Sequence, residues 1–207
     1  MNKLTGGWLL GLMSGTSMDG IDAALIKSDG EKVLEHGQTH SLSYSPEQRA
    51  LLESVMGEGK DISKAEDALT RGHHKAVQEL LDKASLSASD VELIGFHGQT
   101  TFHDPNRGIT QQIGDGDLLA KLCGIPVVNN FRSADVAAGG EGAPFAPLYH
   151  QALARDLEKP LVVLNIGGVS NVTYLGPDNT ILACDTGPGN GLLDDWMLKH
   201  FGKSMDE

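Results

Sequence analysis

Only two cysteines, Cys123 and Cys184, occur in 207 residues, and they form no CxxC pair and no disulfide framework. Their scarcity fits a reducing compartment, and each thiol reads as a small buried hydrophobe rather than a nucleophile. No apolar run reaches the ~18 residues of a membrane span, and residues 1–7 lack the apolar core and cleavage site of a signal peptide. The expectation is a cytoplasmic protein with no membrane partner. Basic residues are also few, 16 against 28 acidic ones, for a formal charge of -12 and a pI near 5.0. That balance excludes a nucleic-acid backbone or an anionic lipid surface as the natural partner. What remains is 40% hydrophobic composition, enough for a real core in one large or two small domains.

The chain's most informative stretch runs from Gly11 to Asp22, a small hydroxyl-rich loop between apolar runs, with carboxylates at its far end. Residues 8–13 and 21–26 read as strands, so the loop lies at the tip of a hairpin. Its glycines allow close backbone approach, and its N–H groups with the Ser14, Thr16 and Ser17 hydroxyls can donate to phosphoryl oxygens. Asp19 and Asp22 would repel bare phosphate, so they make sense with a divalent cation between. From spacing alone the same residues also describe an ordinary turn.

A third strand is expected over residues 32–43. Ser45 and Gln48 form a capping box around Pro46, and Ser63 with Glu66 a second one that opens a longer helix. Its His73-His74 pair reads as part of a solvated face. Residues 91–96 form a buried-type strand that leads into the polar cluster His97-Gly98-Gln99-Thr100-Thr101, at the strand edge where α/β sheets bind ligands. A short helix over 117–122 closes at Gly124, a strand follows over 125–128, and residues 129–144 read as a long irregular loop of functional type. A helix is expected over 147–157.

The last third repeats the opening plan. Strands at 161–166, 172–175 and 180–184 enclose the tight loop Gly167-Gly168-Val169-Ser170-Asn171 and the turn 176–179. Two such halves would present two hairpin loops to one nucleotide. Asp185 ends the third strand ahead of a glycine-rich helix start, where a carboxylate suits either proton abstraction from water or plain capping.

Five ordered segments, 13–22, 97–100, 135–144, 165–171 and 185–190, closely resemble the motifs of anhydro-N-acetylmuramic acid kinase. The resemblance implies an α/β fold of the actin, hexokinase and Hsp70-like ATPase superfamily. This is a ribonuclease H-like domain with a mixed sheet over residues 1–157, with the opening strands of a second, duplicated domain over 158–207. It implies ATP and Mg²⁺ as cofactors and anhydro-N-acetylmuramic acid as substrate. The 1,6-anhydro ring would be opened by water and O6 phosphorylated, a step of cell-wall recycling. Carried over by motif, Asp185 is the general base. Gly15, Thr16, Ser17, Met18, Asp19, Gly20, Ile21 and Asp22 form the phosphate loop, with Asp22 arranging the metal through water. Gly167 and Gly168 face the phosphates from the other domain, and His97, Gln99, Thr100 and Arg132 belong to the sugar pocket, Arg132 pairing with the lactyl carboxylate. The local alternatives are a backbone-satisfied histidine for His97 and a turn stabiliser for Gln99.

Family members continue well past residue 207, so the sequence reads as a C-terminally truncated kinase or one half of a split enzyme, with impaired activity on its own. A homodimer and a missing C-terminal half are the protein partners this reading leaves open. A non-catalytic nucleotide-binding module of the same superfamily is the alternative. A metallohydrolase using His97, His103, Asp104 and Asp115 lacks any supporting spacing.

Overall fold

The computed structural model describes residues 6–15, 18–203 and 205. The chain parts into two compact units, one ending at Ala143 and the other beginning at Pro144.

The first unit opens with strands β1 (Trp8–Ser14), β2 (Gly20–Ser28) and β3 (Val33–Ser43), then helices α1 (Pro46–Ser54) and α2 (Ser63–Ala84). Strands β4 (Val91–Phe96), β5 (Gln99–Asp104) and β6 (Ile109–Ile113), helix α3 (Gly116–Cys123), strand β7 (Val127–Asn129) and helix α4 (Phe131–Ala137) complete it. Its five-stranded sheet has the order β3-β2-β1-β4-β7. The hairpin strands pair antiparallel, whereas β4 and β7 run parallel to β1. This is the mixed sheet of a ribonuclease H-like domain.

Alternation along the strands turns Leu10, Leu12, Ile21, Ala23 and Leu25 toward one face, where Ala76, Val77 and Leu80 of α2 close over them. Each large side chain buried this way contributes about 2 kcal/mol. A second cluster joins Met18, Leu52, Val55, Ala65, Leu69 and Ile113 beneath the loop of the first hairpin.

The capping box at Ser45 forms as expected, with Ser45 Oγ accepting from Gln48 N and Gln48 Oε1 accepting from Ser45 N. The second does not. Ile62 precedes α2 without a side-chain cap, and Glu66 Oε1 instead accepts from Gly114 N at 3.0 Å. His73 is fully buried rather than solvated, because it follows Leu69 by four residues and shares the inward face. Residues 131–137, expected as irregular, form α4, and 99–113 fold as a β5–β6 hairpin.

The second unit contains α5 (Ala146–Leu153), β8 (Leu161–Ile166), β9 (Val169–Leu175), β10 (Ile181–Pro188) and α6 (Gly191–Phe201). Its three strands pair antiparallel in the order β10-β9-β8. Helix α5 is tied to the sheet by His150 Nδ1 and Thr173 Oγ1, 2.9 Å apart, and Thr173 and Leu175 are buried. The alternate residues Val162, Leu164, Ile166 and Leu182 are exposed.

Candidate active site

In the first unit, the parallel registers set Leu12 beside Phe96 and Phe96 beside Asn129. The segments that follow β1, β4 and β7 therefore leave the sheet at one edge, the carboxyl edge where α/β sheets bind ligands. They are three of the motif segments singled out in the sequence.

In the phosphate loop, Thr16 and Ser17 lie outside the described residues. Gly15 O accepts from Met18 N at 3.1 Å, and Met18 takes a left-handed backbone, φ 51°. Its side chain is buried in the second cluster, so it anchors the loop rather than facing solvent. Ile21 belongs to the main core. Gly20 is required by close packing, since a Cβ there would lie 2.5 Å from Leu42 O. Asp19 and Asp22 are exposed. Ser41 Oγ donates to Asp22 Oδ1 at 2.6 Å, and Tyr44 N donates to Asp19 O at 3.1 Å. Burial, reinforced by the charge of Asp19, pushes the Tyr44 phenol up to about 12.

Ser14 departs from the expectation. It is 1% exposed, and its hydroxyl donates to Gly98 O at 3.0 Å instead of pointing outward as a phosphate donor. This bond joins the phosphate hairpin to the turn after β4, where His97 N also donates to Leu12 O at 3.2 Å. Gly98 has φ +67°.

His97, Gln99, Thr100 and Arg132 are brought to this same edge. His97 Nδ1 lies 2.7 Å from Gly98 O, which can only accept, so the ring proton sits on Nδ1. Nε2 then accepts from Arg132, whose Nη2 and Nε lie at 2.8 and 3.2 Å. Burial holds the His97 pKa below the usual histidine value, and the Arg132 charge adds to this against the opposing Gly98 carbonyl. Arg132 Nη1 donates to Gly142 O at 2.7 Å, while Asp135 Oδ2 accepts from Gly142 N at 2.7 Å. The Nε–Nη2 edge of the guanidinium is thus turned to His97. Gln99 is fully buried, and its Oε1 has no hydrogen-bond partner among the described residues. Thr100 is half-buried beside it. Asp135 and Gly142 were given no individual role in the sequence reading; the i, i+3 spacing of Arg132 and Asp135 was the available signal.

In the second unit, Gly167 and Gly168 connect β8 to β9. Their carbonyls accept from Asn190 N at 2.8 Å and Gly189 N at 2.9 Å, which fixes the glycine-rich start of α6 against the loop. Asp185 is exposed on β10, directly opposite Asn171, at a register shift between Asp185 and Gly187.

Among the described residues, no group of three or more His, Cys, Asp or Glu side chains is arranged to hold a metal ion. Asp22 offers one exposed carboxylate with one oxygen already engaged by Ser41. Such a donor fits Mg²⁺, which keeps several waters and takes one or two carboxylates plus phosphate oxygens. The residues of the metallohydrolase alternative have other work. His97 accepts from Arg132, His103 Nδ1 meets Thr110 Oγ1, Asp104 accepts from Arg107 N and Asp115 caps α3.

A family model for anhydro-N-acetylmuramic acid kinase matches residues 7–207. A relative of that name from Paramagnetospirillum magneticum is 52% identical over 197 residues, covering 95% of this chain and 56% of its own length. Another, from Nitrobacter winogradskyi, is 48% identical over 209 residues, covering 95% of this chain and 57% of its own length. The chain thus spans a little over half the length of the curated relatives it matches. Among solved structures, ethanolamine utilization protein EutJ from Carboxydothermus hydrogenoformans is 12% identical with a TM-score of 0.47, covering 97% of this chain and 59% of that one. The match across nearly the whole chain, at about half identity, shows that it belongs to the anhydro-N-acetylmuramic acid kinase family.

Proposed function

We propose that this chain serves ATP-dependent, hydrolytic ring opening of 1,6-anhydro-N-acetylmuramic acid with phosphorylation at O6, a reaction of peptidoglycan recycling. The observation that carries the reading is the convergence of the end of β1, the His97 turn and Arg132 at one sheet edge, in a chain about half identical to kinases of that name. In this reading Gly15 to Asp22 receive the phosphates of ATP, and Gly167 and Gly168 carry a second phosphate-binding loop. Asp22 would hold Mg²⁺ through water. The cation would neutralise charge on the transferring phosphoryl group.

Asp185 takes the proton of a water whose oxygen bonds to the anomeric carbon. The bond from that carbon to O6 breaks, and O6 bonds to the γ-phosphorus as the bridging oxygen leaves with ADP. Ring strain and phosphoryl acceptance then drive one another. His97, Gln99, Thr100 and Arg132 form the sugar side, the buried Gln99 by shaping it from beneath. The two free cysteines and the proposed use of ATP support a cytoplasmic reaction. No helix among the described residues is long and apolar enough to cross a membrane.

The test is turnover in ¹⁸O-labelled water with ATP, Mg²⁺ and the anhydro sugar. The expected product carries ¹⁸O at the anomeric hydroxyl and phosphate on O6. ATP binding without sugar-dependent ADP release would replace this reading with that of a nucleotide-binding module.

A further inference from the structure

Helix α4 presents Arg132 and Asp135 one turn apart, and both reach the same peptide unit. Asp135 accepts from Gly142 N and Arg132 donates to Gly142 O, each at 2.7 Å. Gly142 has φ +69°, and a Cβ there would lie 2.6 Å from Val136 Cγ2, so the segment has little freedom to re-form with another residue. Arg132 also donates from Nε and Nη2 to His97 Nε2, and His97 in turn donates to the Gly98 carbonyl that Ser14 also reaches. One continuous set of hydrogen bonds therefore joins the end of β1, the His97 turn and the glycine-rich 139–142 loop.

We propose that Arg132 is a positioning residue: it spans His97 and Gly142 and so fixes the 139–142 loop at the sheet edge. A guanidinium is needed because one planar fork serves two acceptors on opposite sides, which a lysine ammonium does not reproduce. That the loop borders the sugar rests on the kinase reading; the strut between His97 and Gly142 does not.

The test uses nuclear magnetic resonance on the intact chain. In the wild type, the ring nitrogens of His97 should report a neutral imidazole protonated at Nδ1, a measurement that needs no variant. In both Arg132→Gln and Arg132→Lys the Gly142 amide should exchange with solvent about tenfold faster, the loss expected for a charge-assisted hydrogen bond. Overturning results are an Nε2-protonated His97, or Gly142 exchange unchanged in both variants. Exchange restored by Lys but not Gln would also overturn it, because charge alone would then suffice. Neither readout needs turnover, so failure of the kinase reading and failure of the strut are distinguishable.

Discussion

Asp185 on β10 stands directly opposite Asn171 on β9, with no residue offset between them. Asn165 of β8 faces Asn171 in turn, so a carboxylate and two carboxamides form one row across the three strands. Directly opposed residues hold their Cβ atoms about 5 Å apart, within reach for an amide to orient a carboxylate. Under the proposed mechanism, Asp185→Asn should lower kcat by about 10²- to 10⁴-fold, the usual contribution of a general base, with ATP affinity unchanged. Asn171→Ala should lower kcat by about tenfold, because it removes orientation and leaves the base in place. Equal losses in the two variants would show that Asn171 does more than orient.

Gly98 and Gly108 share nearly the same left-handed backbone, φ +67° and +68°. A Cβ on Gly98 would run into the Ile113 carbonyl oxygen, whereas nothing lies within 4 Å of one on Gly108. Gly108→Ala should destabilise the chain by about 1 kcal/mol, from backbone strain alone. Gly98→Ala adds the collision and should cost about 3 kcal/mol or more. Urea unfolding of both variants isolates the steric part as their difference. Equal midpoints would mean that the Gly98 turn shifts freely.

His73 is buried, with Nδ1 2.9 Å from Leu69 O and its ring 4.7 Å from that of Phe96. Burial lowers its pKa to about 4, against the opposing Leu69 carbonyl. The unfolded chain therefore binds a proton near pH 6.5 that the folded chain refuses until about pH 4. Stability rises with pH wherever the unfolded state holds more protons, so this residue's share is lost as pH falls through that window, up to about 3 kcal/mol. His73→Leu should flatten the dependence of the urea midpoint on pH between those limits. His97, also lowered by burial, contributes a slope of the same sign that remains in the variant. Parallel curves for the two proteins would refute the assignment.

Much of this fold was legible because local signals agreed with packing. Alternation over 8–13 and 21–26 gave the hairpin, and the Ser45 capping box formed where the sequence placed it. Ser63 misled because its partner Glu66 had a better use, satisfying Gly114 N from a distant segment. His73 was misread because adjacent residues on a helix point about 100° apart, and only the phase set by Leu69 and Ala76 says which histidine turns inward. The same limit applies at the site. Motif order brought His97 and Arg132 into consideration, but the bond between them depends on where β4 and α4 end in space.

The outer face of the second unit's sheet makes a prediction about association. Register aligns Val162, Tyr174 and Leu182 in one row and Leu164, Val172 and Cys184 in the next. Val162, Leu164 and Leu182 are 57%, 57% and 62% exposed, on the face opposite the one holding Thr173 and Leu175. A contiguous apolar patch of this kind favours self-association. Replacing all three by threonine keeps strand propensity while removing much of the apolar surface. The triple variant should sediment as a smaller species than the parent chain at high concentration. Because these side chains bury little, its unfolding midpoint should match the parent's, with a difference below about 1 kcal/mol. A large loss of stability would mean that these residues are covered in the folded protein, and the patch would then be core rather than surface.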